Sequence, residues 1–173
     1  GARGQGLSSV GVGPRFPAVA ARADVWLPMR PGSDVALVMT WIRYIIENQL
    51  YDEGCCKRWT NLPYLIDTDT KKMLRAYEVG LGEADAEDAE KTFVVWDQKT
   101  NSAKALPWPY DEALDPAFFG TSEIDGVEYP TAFTLLQERA DEWTLEQGRE
   151  VCCLEQDQVE KAIRISAENA PHG

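Results

Sequence analysis

The fold is decided by the stretch Ala23-Asp-Val-Trp-Leu-Pro-Met-Arg-Pro-Gly-Ser-Asp34, which leads directly into the longest helix pattern of the chain. Its prolines fix φ and keep the backbone extended, and its glycine permits close approach of another group. Ser33 and Asp34 occupy the positions of a helix N-cap and a first-turn acid. The stretch therefore predicts an extended segment followed by a helix whose first N–H groups are free to bind a ligand.

A second informative run, Gly13-Pro-Arg-Phe-Pro17, lies just before it. The apolar residues from Leu7 to Val12 predict a short β-strand, which Gly13-Pro14 ends. A parallel strand needs neighbours, and the sequence offers no convincing parallel partner for this one. We therefore expect this edge to be frayed or paired with another copy of the chain, so that the chain self-associates.

The helix from Val35 to Leu50 carries an apolar stripe with the i, i+3, i+4, i+7 spacing of a buried face. Asp52-Glu53 begins a second, short helix that runs to Trp59. The residues expected to face the core are Val38, Trp41, Ile42, Ile45 and Ile46, with Leu37 and Met39 broadening the stripe.

The middle of the chain is predicted to be rich in short strands, and the end to be helical. One hairpin surrounds the polar turn Asp97–Ser102, and another surrounds the type I′ turn Asp125-Gly126. Thr131 caps one C-terminal helix, and Thr144 with Gln147 forms a capping box that begins another. The predicted strands and the last helix are Pro63–Ile66, Lys72–Tyr77, Phe93–Trp96, Ala103–Leu106, Ser122–Tyr129 and Glu155–Asn169.

These elements indicate an α+β fold. The pattern separates a β-rich lobe at residues 61–129 from residues 1–60, which contain the long helix, and from residues 130–173, which are helical.

The composition excludes several classes of function. A net charge of −12 over 173 residues argues against nucleic-acid and anionic-membrane partners. The four cysteines form two adjacent pairs, Cys55-Cys56 and Cys152-Cys153, without the spacing of a zinc or iron–sulfur site. We interpret them as small buried side chains. His172 is the only histidine, which excludes His-based catalytic triads and His-rich metal sites. We predict neither catalytic residues nor metal ligands in this chain.

The two loop runs resemble one family of enzymes. The catalytic subunits of the dimethyl sulfoxide reductase superfamily, which bind two molybdopterin guanine dinucleotides, commonly show Asp-Pro-Arg, then Ala-Asp, then Leu-Pro-x-Arg-Pro-Gly-Thr-Asp and a long helix ending near Leu-Tyr-Asp. The matching runs here are Gly13-Pro-Arg15, Ala23-Asp24, Leu27-Pro-Met-Arg-Pro-Gly-Ser-Asp34 and Leu50-Tyr-Asp52. Gly13 replaces the usual acid, which removes a contact if that acid bonds a ribose hydroxyl.

The resemblance implies which residues contact a cofactor. Carried over position by position, the family pattern gives a first contact loop and a second contact loop at the guanosine end of one cofactor. The first loop is Gly13, Pro14, Arg15, Phe16 and Pro17, and the second is Gly32, Ser33 and Asp34. From the residues alone, the simpler alternative is that Arg15 pairs with a nearby acid and that Ser33 and Asp34 only cap the helix.

The resemblance implies that residues 1–60 are part of a Rossmann-like cofactor-binding domain, that residues 61–129 are a lobe inserted into it, and that residues 130–173 return to it as helices. It also implies what this chain leaves to other segments. In the family, molybdenum or tungsten is held by the two pterin cofactors and usually by one protein side chain, and an iron–sulfur cluster lies nearby. Those motifs belong to stretches outside this sequence. We therefore expect a segment of a larger catalytic polypeptide, inactive alone, whose partners are the rest of that polypeptide and an iron–sulfur electron-transfer subunit. The sequence leaves both a cytoplasmic and an exported location open.

Later motifs resemble one branch of the superfamily, which includes acetylene hydratase, pyrogallol transhydroxylase and catechol dehydroxylases. These are the run Trp59-Thr-Asn-Leu-Pro-Tyr-Leu-Ile66, the strand ending at Asp97, and the hairpin that precedes Thr131. The alternative function, from a different class, is a free-standing acidic protein-interaction domain without catalysis.

Overall fold

The computed structural model describes residues 8–16, 18, 20–106 and 111–168, which together form an α+β fold. The chain divides into two units. The first comprises Gly1–Tyr51 with Arg139–Gly173, and the second comprises Asp52–Glu138.

A parallel pair of strands forms the sheet of the first unit. Strand β1 (Val10–Val12) pairs with β2 (Val25–Leu27), with Val10 opposite Val25. The Asp24 carboxylate accepts a hydrogen bond from the Ser9 N–H at 2.8 Å and fixes the start of the pair. The expectation that β1 lacks a partner within the chain is therefore wrong. The sequence did not predict β2, because its three residues, between Asp24 and Pro28, are too few to show a periodicity. Leu7, the predicted first residue of β1, lies outside the described residues.

Three helices pack with this sheet: α1 (Asp34–Glu47), α4 (Leu145–Cys152) and α5 (Gln156–Glu168). The Thr144 capping box at the start of α4 is confirmed, since Thr144 Oγ1 accepts from Gln147 N–H and the Gln147 side chain accepts from Thr144 N–H. Val159, Ala162 and Ile163 are buried on the inner side of α5, whereas Ser166 is exposed. The core of the unit comprises Val25, Leu27, Met29, Ala36, Leu37, Tyr44, Cys152, Leu154, Val159, Ala162 and Ile163.

The predicted buried face of α1 is wrong in detail. The side chains that α1 buries are Ala36, Leu37, Thr40 and Tyr44. Val38, at the centre of the predicted stripe, is 53% exposed. The helix has two adjacent apolar faces, and the periodicity of the sequence does not tell which of them this chain covers.

The second unit contains α2 (Glu53–Trp59), six strands and the first part of α3 (Ala132–Asp141). The two predicted hairpins are confirmed, and Asp125 and Gly126 both have the positive φ of a type I′ turn, 51° and 81°. Thr131 Oγ1 accepts from Thr134 N–H and caps α3, as predicted. The strands are β3 (Ile66–Asp67), β4 (Lys72–Met73), β5 (Phe93–Asp97), β6 (Ser102–Leu106), β7 (Thr121–Ile124) and β8 (Val127–Pro130).

The predicted strand Lys72–Tyr77 ends early. It stops at Met73, and Ala76–Val79 forms a 3-10 helix. The cause is local, because the Glu78 carboxylate accepts the Arg75 N–H at 2.6 Å and folds the chain back on itself. Gly80, with φ 70°, then ends the turn.

The cysteines also differ from the prediction. Cys152 is fully buried and Cys56 is partly buried, but Cys55 and Cys153 are exposed. Cys153 ends α4 in the left-handed region with φ 56°, which turns its side chain away from the core. The interpretation as small buried side chains therefore holds in full only for Cys152.

The contact between α1 and α4 makes Gly148 sensitive to substitution. A Cβ at residue 148 would overlap Thr40 Oγ1 and lie 2.7 Å from Thr40 Cβ. Thr40 is buried, and its hydroxyl donates to Ala36 O at 2.8 Å, so it cannot move aside freely. We expect Gly148→Ala to lower the free energy of unfolding by about 1–3 kcal/mol, measured by urea denaturation.

Gly54→Ala is the matched control, since its Cβ would meet only Asp52 Oδ1 at 3.4 Å. In a Thr40→Ala background the Oγ1 overlap disappears and the loss at residue 148 should shrink. A Gly148→Ala variant as stable as the Gly54→Ala variant would contradict the close approach of the two helices.

Asp97 organises the turn between β5 and β6. Its buried carboxylate accepts from Thr100 Oγ1 at 2.6 Å, from Thr100 N–H at 3.0 Å and from Asp115 N–H at 2.8 Å. The Thr100 hydroxyl, together with the Asp115 N–H, lowers the pKa of Asp97 from 3.8 to about 2.

Because the Asp97 carboxyl has a lower pKa in the folded state than in the unfolded state, its ionised form stabilises the fold at pH values above the unfolded pKa. This stabilisation is lost as the pH falls towards the folded pKa. We therefore expect the stability difference between the native chain and an Asp97→Asn variant to be full above pH 4 and to shrink between about pH 4 and pH 2. Urea denaturation across that range tests this. Asp85→Asn, at an exposed loop residue, serves as the control. A difference that stays constant down to pH 2 would show that the carboxylate is not held ionised.

Candidate functional site

The two predicted contact loops leave from the same edge of the parallel pair. Both β1 and β2 end there, at Val12 and Leu27, and Gly13 N–H donates to Leu27 O at 3.0 Å. In open parallel sheets, ligands bind outside the carboxyl ends of the strands. The fold therefore brings Gly13, the first residue of the first loop, beside the end of β2, from which the chain leads on to the second loop, at an edge suited to a ligand.

The first loop presents its side chains to solvent. Pro14 and Arg15 are exposed, and Arg15 makes no ion pair with any residue that the structure describes. Phe16 is 58% exposed and meets Trp26 edge-on, with ring centroids 4.9 Å apart. Pro17, the last predicted residue of this loop, lies outside the described residues. The loop thus offers a cation and an aromatic surface.

Trp26 adds an unusual polar group beside Phe16. Its ring N–H is buried and has no hydrogen-bond partner within the described part of the chain. A buried donor without a partner costs free energy, so an acceptor reaching it would stabilise this corner.

The second loop is shaped by its glycine. Gly32 has φ 82°, and nothing lies within 4 Å of the position a Cβ would take. The backbone there is therefore strained for other residues and open to an incoming group. Asp34 follows as the first residue of α1, and it is exposed.

Ser33 does not act as the predicted side-chain cap. It occupies the N-cap position, but its hydroxyl accepts nothing from the helix and instead donates to Arg30 O at 2.6 Å. The side chain is buried, so it faces the interior of the unit. Its part is to close the turn that positions Gly32 and Asp34.

Cys152 anchors this turn from α4, a contact that the sequence did not indicate. Arg30 N–H donates to Cys152 O at 2.9 Å, and Cys152 Sγ donates to Ser33 O at 3.5 Å. No local pattern could have revealed this, because the partners are more than 110 residues apart.

A groove of about 330 Å³ lies between the end of β1, the second loop and α1. Among the described residues that line it, Asp34 is the only ionisable one. The other walls are apolar: Val12, Met29, Leu37, Val38, Trp41 and Ile42. The groove therefore extends from Val12, the residue before the first loop, to Asp34, the last residue of the second loop, whose side chain supplies its carboxylate.

The second unit contains a further set of aromatic residues, Trp108, Tyr110, Phe118 and Phe119. Phe118 is buried against Phe133, with ring centroids 4.1 Å apart, and Phe119 is 60% exposed. Trp108 and Tyr110 are not among the described residues. Within the described ranges, no group of three or more His, Cys, Asp and Glu side chains is placed to hold a metal ion. No helix in those ranges combines the length and apolar character needed to cross a bilayer.

Comparison with known proteins identifies relatives along almost the whole chain. A dimethyl sulfoxide reductase catalytic subunit from Halobacterium salinarum is 31% identical over 99% of this chain, which spans 20% of that protein. The alpha chain of dimethylsulfide dehydrogenase from Rhodovulum sulfidophilum is 30% identical over 84% of this chain and 16% of its own length. Dopamine dehydroxylase of Eggerthella lenta is 45% identical over 60 residues, which are 35% of this chain and 6% of that protein. No family model matches the chain.

A solved structure shares the fold. Acetylene hydratase from Pelobacter acetylenicus matches 98% of this chain and 14% of its own, with a TM-score of 0.50 at 19% sequence identity. At that identity the likeness concerns the fold alone.

These relatives define the class: the chain is homologous to catalytic subunits of oxidoreductases. More particularly, it belongs to the dimethyl sulfoxide reductase family, as the loop motifs predict. It spans about a fifth or less of the length of these relatives.

Ser33 provides a test of how the second loop is held. Ser33→Ala removes the only side-chain donor that Arg30 O receives from this turn, and we expect it to lower the free energy of unfolding by about 0.5–1.5 kcal/mol. Ser166→Ala is the control, because Ser166 Oγ also donates to a backbone carbonyl, that of Ala162, within a regular helix. Equal, negligible effects in chemical denaturation would show that the Ser33 hydroxyl does not close the turn.

Proposed function

We propose that this chain is a segment of the catalytic subunit of a molybdenum or tungsten oxidoreductase that binds two molybdopterin guanine dinucleotides. Its two loops contribute to holding the guanosine end of one cofactor. The observation that carries the proposal is the exposed Asp34 carboxylate, which follows the open Gly32 turn at the carboxyl edge of a parallel strand pair.

Asp34 suits a guanine better than a phosphate. A carboxylate repels phosphate, but its two oxygens accept hydrogen bonds from adjacent N–H groups, and guanine presents a ring N–H beside an amino group. The groove walls next to it are apolar, which favours the flat face of a base or the edge of a sugar. The backbone at Gly32 leaves room for that approach.

The first loop complements this role. The exposed Arg15 supplies a charge that neutralises pyrophosphate or stacks on a base. Phe16 offers an exposed aromatic surface, and Pro14 restricts the backbone of the loop. Gly13, where relatives in the family commonly carry an acid, contributes no side-chain contact. Asp34 therefore bears a larger share of the recognition here.

The chain's own chemistry is limited to binding and orientation. When the cofactors are bound, their metal supplies the substrate chemistry, and the protein supplies position and electrostatics. Arg15, Gly32 and Asp34 hold one end of one cofactor, and Ser33 positions the second loop. No residue of this segment is proposed to touch substrate, so the chain alone is expected to have no turnover.

We also propose which domain the segment belongs to and which other parts of the enzyme complete the site. Residues 1–60 and 130–173 contribute to a Rossmann-like cofactor-binding domain, and residues 61–129 form a lobe inserted into it. The iron–sulfur cluster and metal ligand come from other segments of the full-length protein, and an iron–sulfur electron-transfer subunit is the further partner. Several relatives are named as alpha subunits, which supports a multi-subunit enzyme. The match to dopamine dehydroxylase over 60 residues favours the branch that includes catechol dehydroxylases.

Asp34→Asn tests the proposal in the full-length subunit. The substitution keeps the size of the side chain and most of its compatibility with a helix start, but it replaces one acceptor oxygen by a donor. Loss of a charge-assisted hydrogen bond costs about 1.5–3 kcal/mol, so we expect cofactor occupancy to fall about tenfold or more when cofactor is limiting. Metal and pterin content, with thermal stability, are the measurements.

Asp157→Asn is the matched control, because Asp157 is an exposed first-turn acid of α5 in the same unit. It should leave cofactor content unchanged. Unchanged cofactor content in the Asp34→Asn variant, or loss of the fold before loss of cofactor, would show that Asp34 is only a helix cap.

Two further results bear on the proposal as a whole. Stoichiometric molybdenum or tungsten in the isolated chain would contradict the proposal that the chain is one segment of the site. A specific protein partner and no cofactor in the full subunit would favour an interaction domain.

A further inference from the structure

Another pocket, which we call the Lys71 pocket, lies in the second unit and takes no part in the cofactor site. Its volume is about 450 Å³, which is within the range of small-molecule sites. Residues of β3, β4, β5 and the turns beside them form its walls, and all of them belong to the same unit. Three cationic and three apolar side chains line it: Lys71, Lys72, Arg75, Ile66, Met73 and Phe93.

The lysines of this pocket are unusual in an acidic chain. The net charge of the chain is −12, yet no Asp or Glu is among the described residues that line the pocket. Lys71 and Lys72 are exposed and make no ion pair with any residue that the structure describes. The Asp67 carboxylate of the same hairpin accepts from the Thr70 hydroxyl at 2.8 Å. Two lysine charges therefore stand at the pocket without a partner in the described ranges.

Arg75 adds a donor that the fold leaves unused. Its Nη2 pairs with Glu90 at 2.8 Å, but its Nε is buried and has no hydrogen-bond partner in the part of the chain that the structure describes. An acceptor that reaches Nε would offset the cost of burying it. The backbone of Arg75 forms a β-bridge with Phe93, so a cation and an aromatic residue occupy neighbouring positions of the wall.

Lys71 has a backbone conformation that does not suit its residue type. Its φ is 58°, in the left-handed region that favours Gly, Asn and Asp. It lies in the turn between β3 and β4, where a glycine would adopt the same conformation without strain. Strained backbone of this kind is concentrated at functional sites. A lysine at this position therefore indicates a use for its charge.

The apolar walls are ordered by contacts within the unit. Ile66 pairs with Met73 across the β3–β4 hairpin, and the Phe93 ring stacks on Tyr64 with centroids 5.2 Å apart. An inorganic ion would leave these walls in contact with water. An aromatic ring would cover them and gain from their burial. The walls therefore favour a ligand that has an apolar body as well as a charge.

We propose that the Lys71 pocket binds an aromatic carboxylate. The two lysines and Arg75 Nε hold its carboxylate, and its ring lies against Phe93 and Met73. One negative charge is sufficient, because Glu90 already pairs with Arg75 and Asp67 lies in the same hairpin. A divalent phosphate would meet more repulsion from these acids. The site does not depend on the proposed function, since its residues are distinct from those assigned to the cofactor.

The test is a titration of the chain with benzoate, followed by NMR of the methionine methyl groups. The chain has three methionines; Met73 lines the Lys71 pocket, and Met29 lines the groove beside Asp34. We expect the Met73 signal to shift saturably and the Met29 signal to stay in place. Benzyl alcohol has the ring without the charge, and inorganic phosphate has a charge without the ring. Each should bind at least about tenfold more weakly than benzoate.

Lys71→Gly separates binding from stability. We expect the Kd for benzoate to rise about tenfold, because a charge-assisted contact is lost. The variant should be at least as stable as the native chain in urea, since glycine adopts the positive φ without strain. Lys161→Gln is the control, because it removes an exposed lysine charge from α5 in the other unit and should leave the Kd unchanged.

Any of four results would overturn the inference. These are no saturable shift of Met73 with benzoate, binding of benzyl alcohol or phosphate as tight as that of benzoate, equal effects of Lys71→Gly and Lys161→Gln, and a loss of stability in Lys71→Gly, which would give Lys71 a structural role. Cofactor content of the Asp34→Asn variant bears on the proposed function alone, because Asp34 and the Lys71 pocket belong to different units.

Discussion

The parallel pairing of β1 with β2 is the interaction on which the candidate site depends. It places the ends of both strands at one edge, so that Gly13 and the residues after Leu27 begin side by side. The pair is only three residues long, and the Asp24 carboxylate holds its start through the Ser9 N–H. Without this register, Val12 would not line the groove that reaches Asp34, and Asp34 would be an isolated acid at the start of a helix.

Two long-range contacts then set the shape of the second loop. The backbone of Arg30 and the carbonyl of Ser33 both bond to Cys152 at the end of α4. In turn, α4 lies close to α1 because Gly148 has no side chain to separate it from Thr40. The packing of α4 against α1 therefore helps to position the second loop. The backbone conformation at Gly32 depends on this packing as much as on the local sequence.

The sequence predicted well those elements whose cause is local. The Thr144 capping box, the Thr131 cap and the Asp125-Gly126 turn depend on side chains within four residues of one another, and each is confirmed. It failed where the cause is distant or the element is short. β2 has three residues, and the choice between the two apolar faces of α1 depends on α4 and α5, which no periodicity in α1 describes.

The candidate site divides in the same way. The loop motifs were sufficient to assign the family, which the relatives confirm. They were misleading for Ser33, whose hydroxyl turns inward to Arg30 O and does not cap α1. The contributions of Val12 and Met29 to the groove were not predicted, because they depend on how β1 and β2 pair. The cofactor contacts of Arg15, Gly32 and Asp34 stay predictions.

The most direct test of the central claim is an experimental structure of the full-length subunit with its cofactors bound. We expect a guanine base at the carboxyl edge of β1 and β2, with its ring N–H and amino group about 2.7–3.2 Å from the Asp34 carboxylate oxygens. A structure in which both guanines are bound elsewhere, and Asp34 contacts only solvent or the N–H groups of α1, would contradict it.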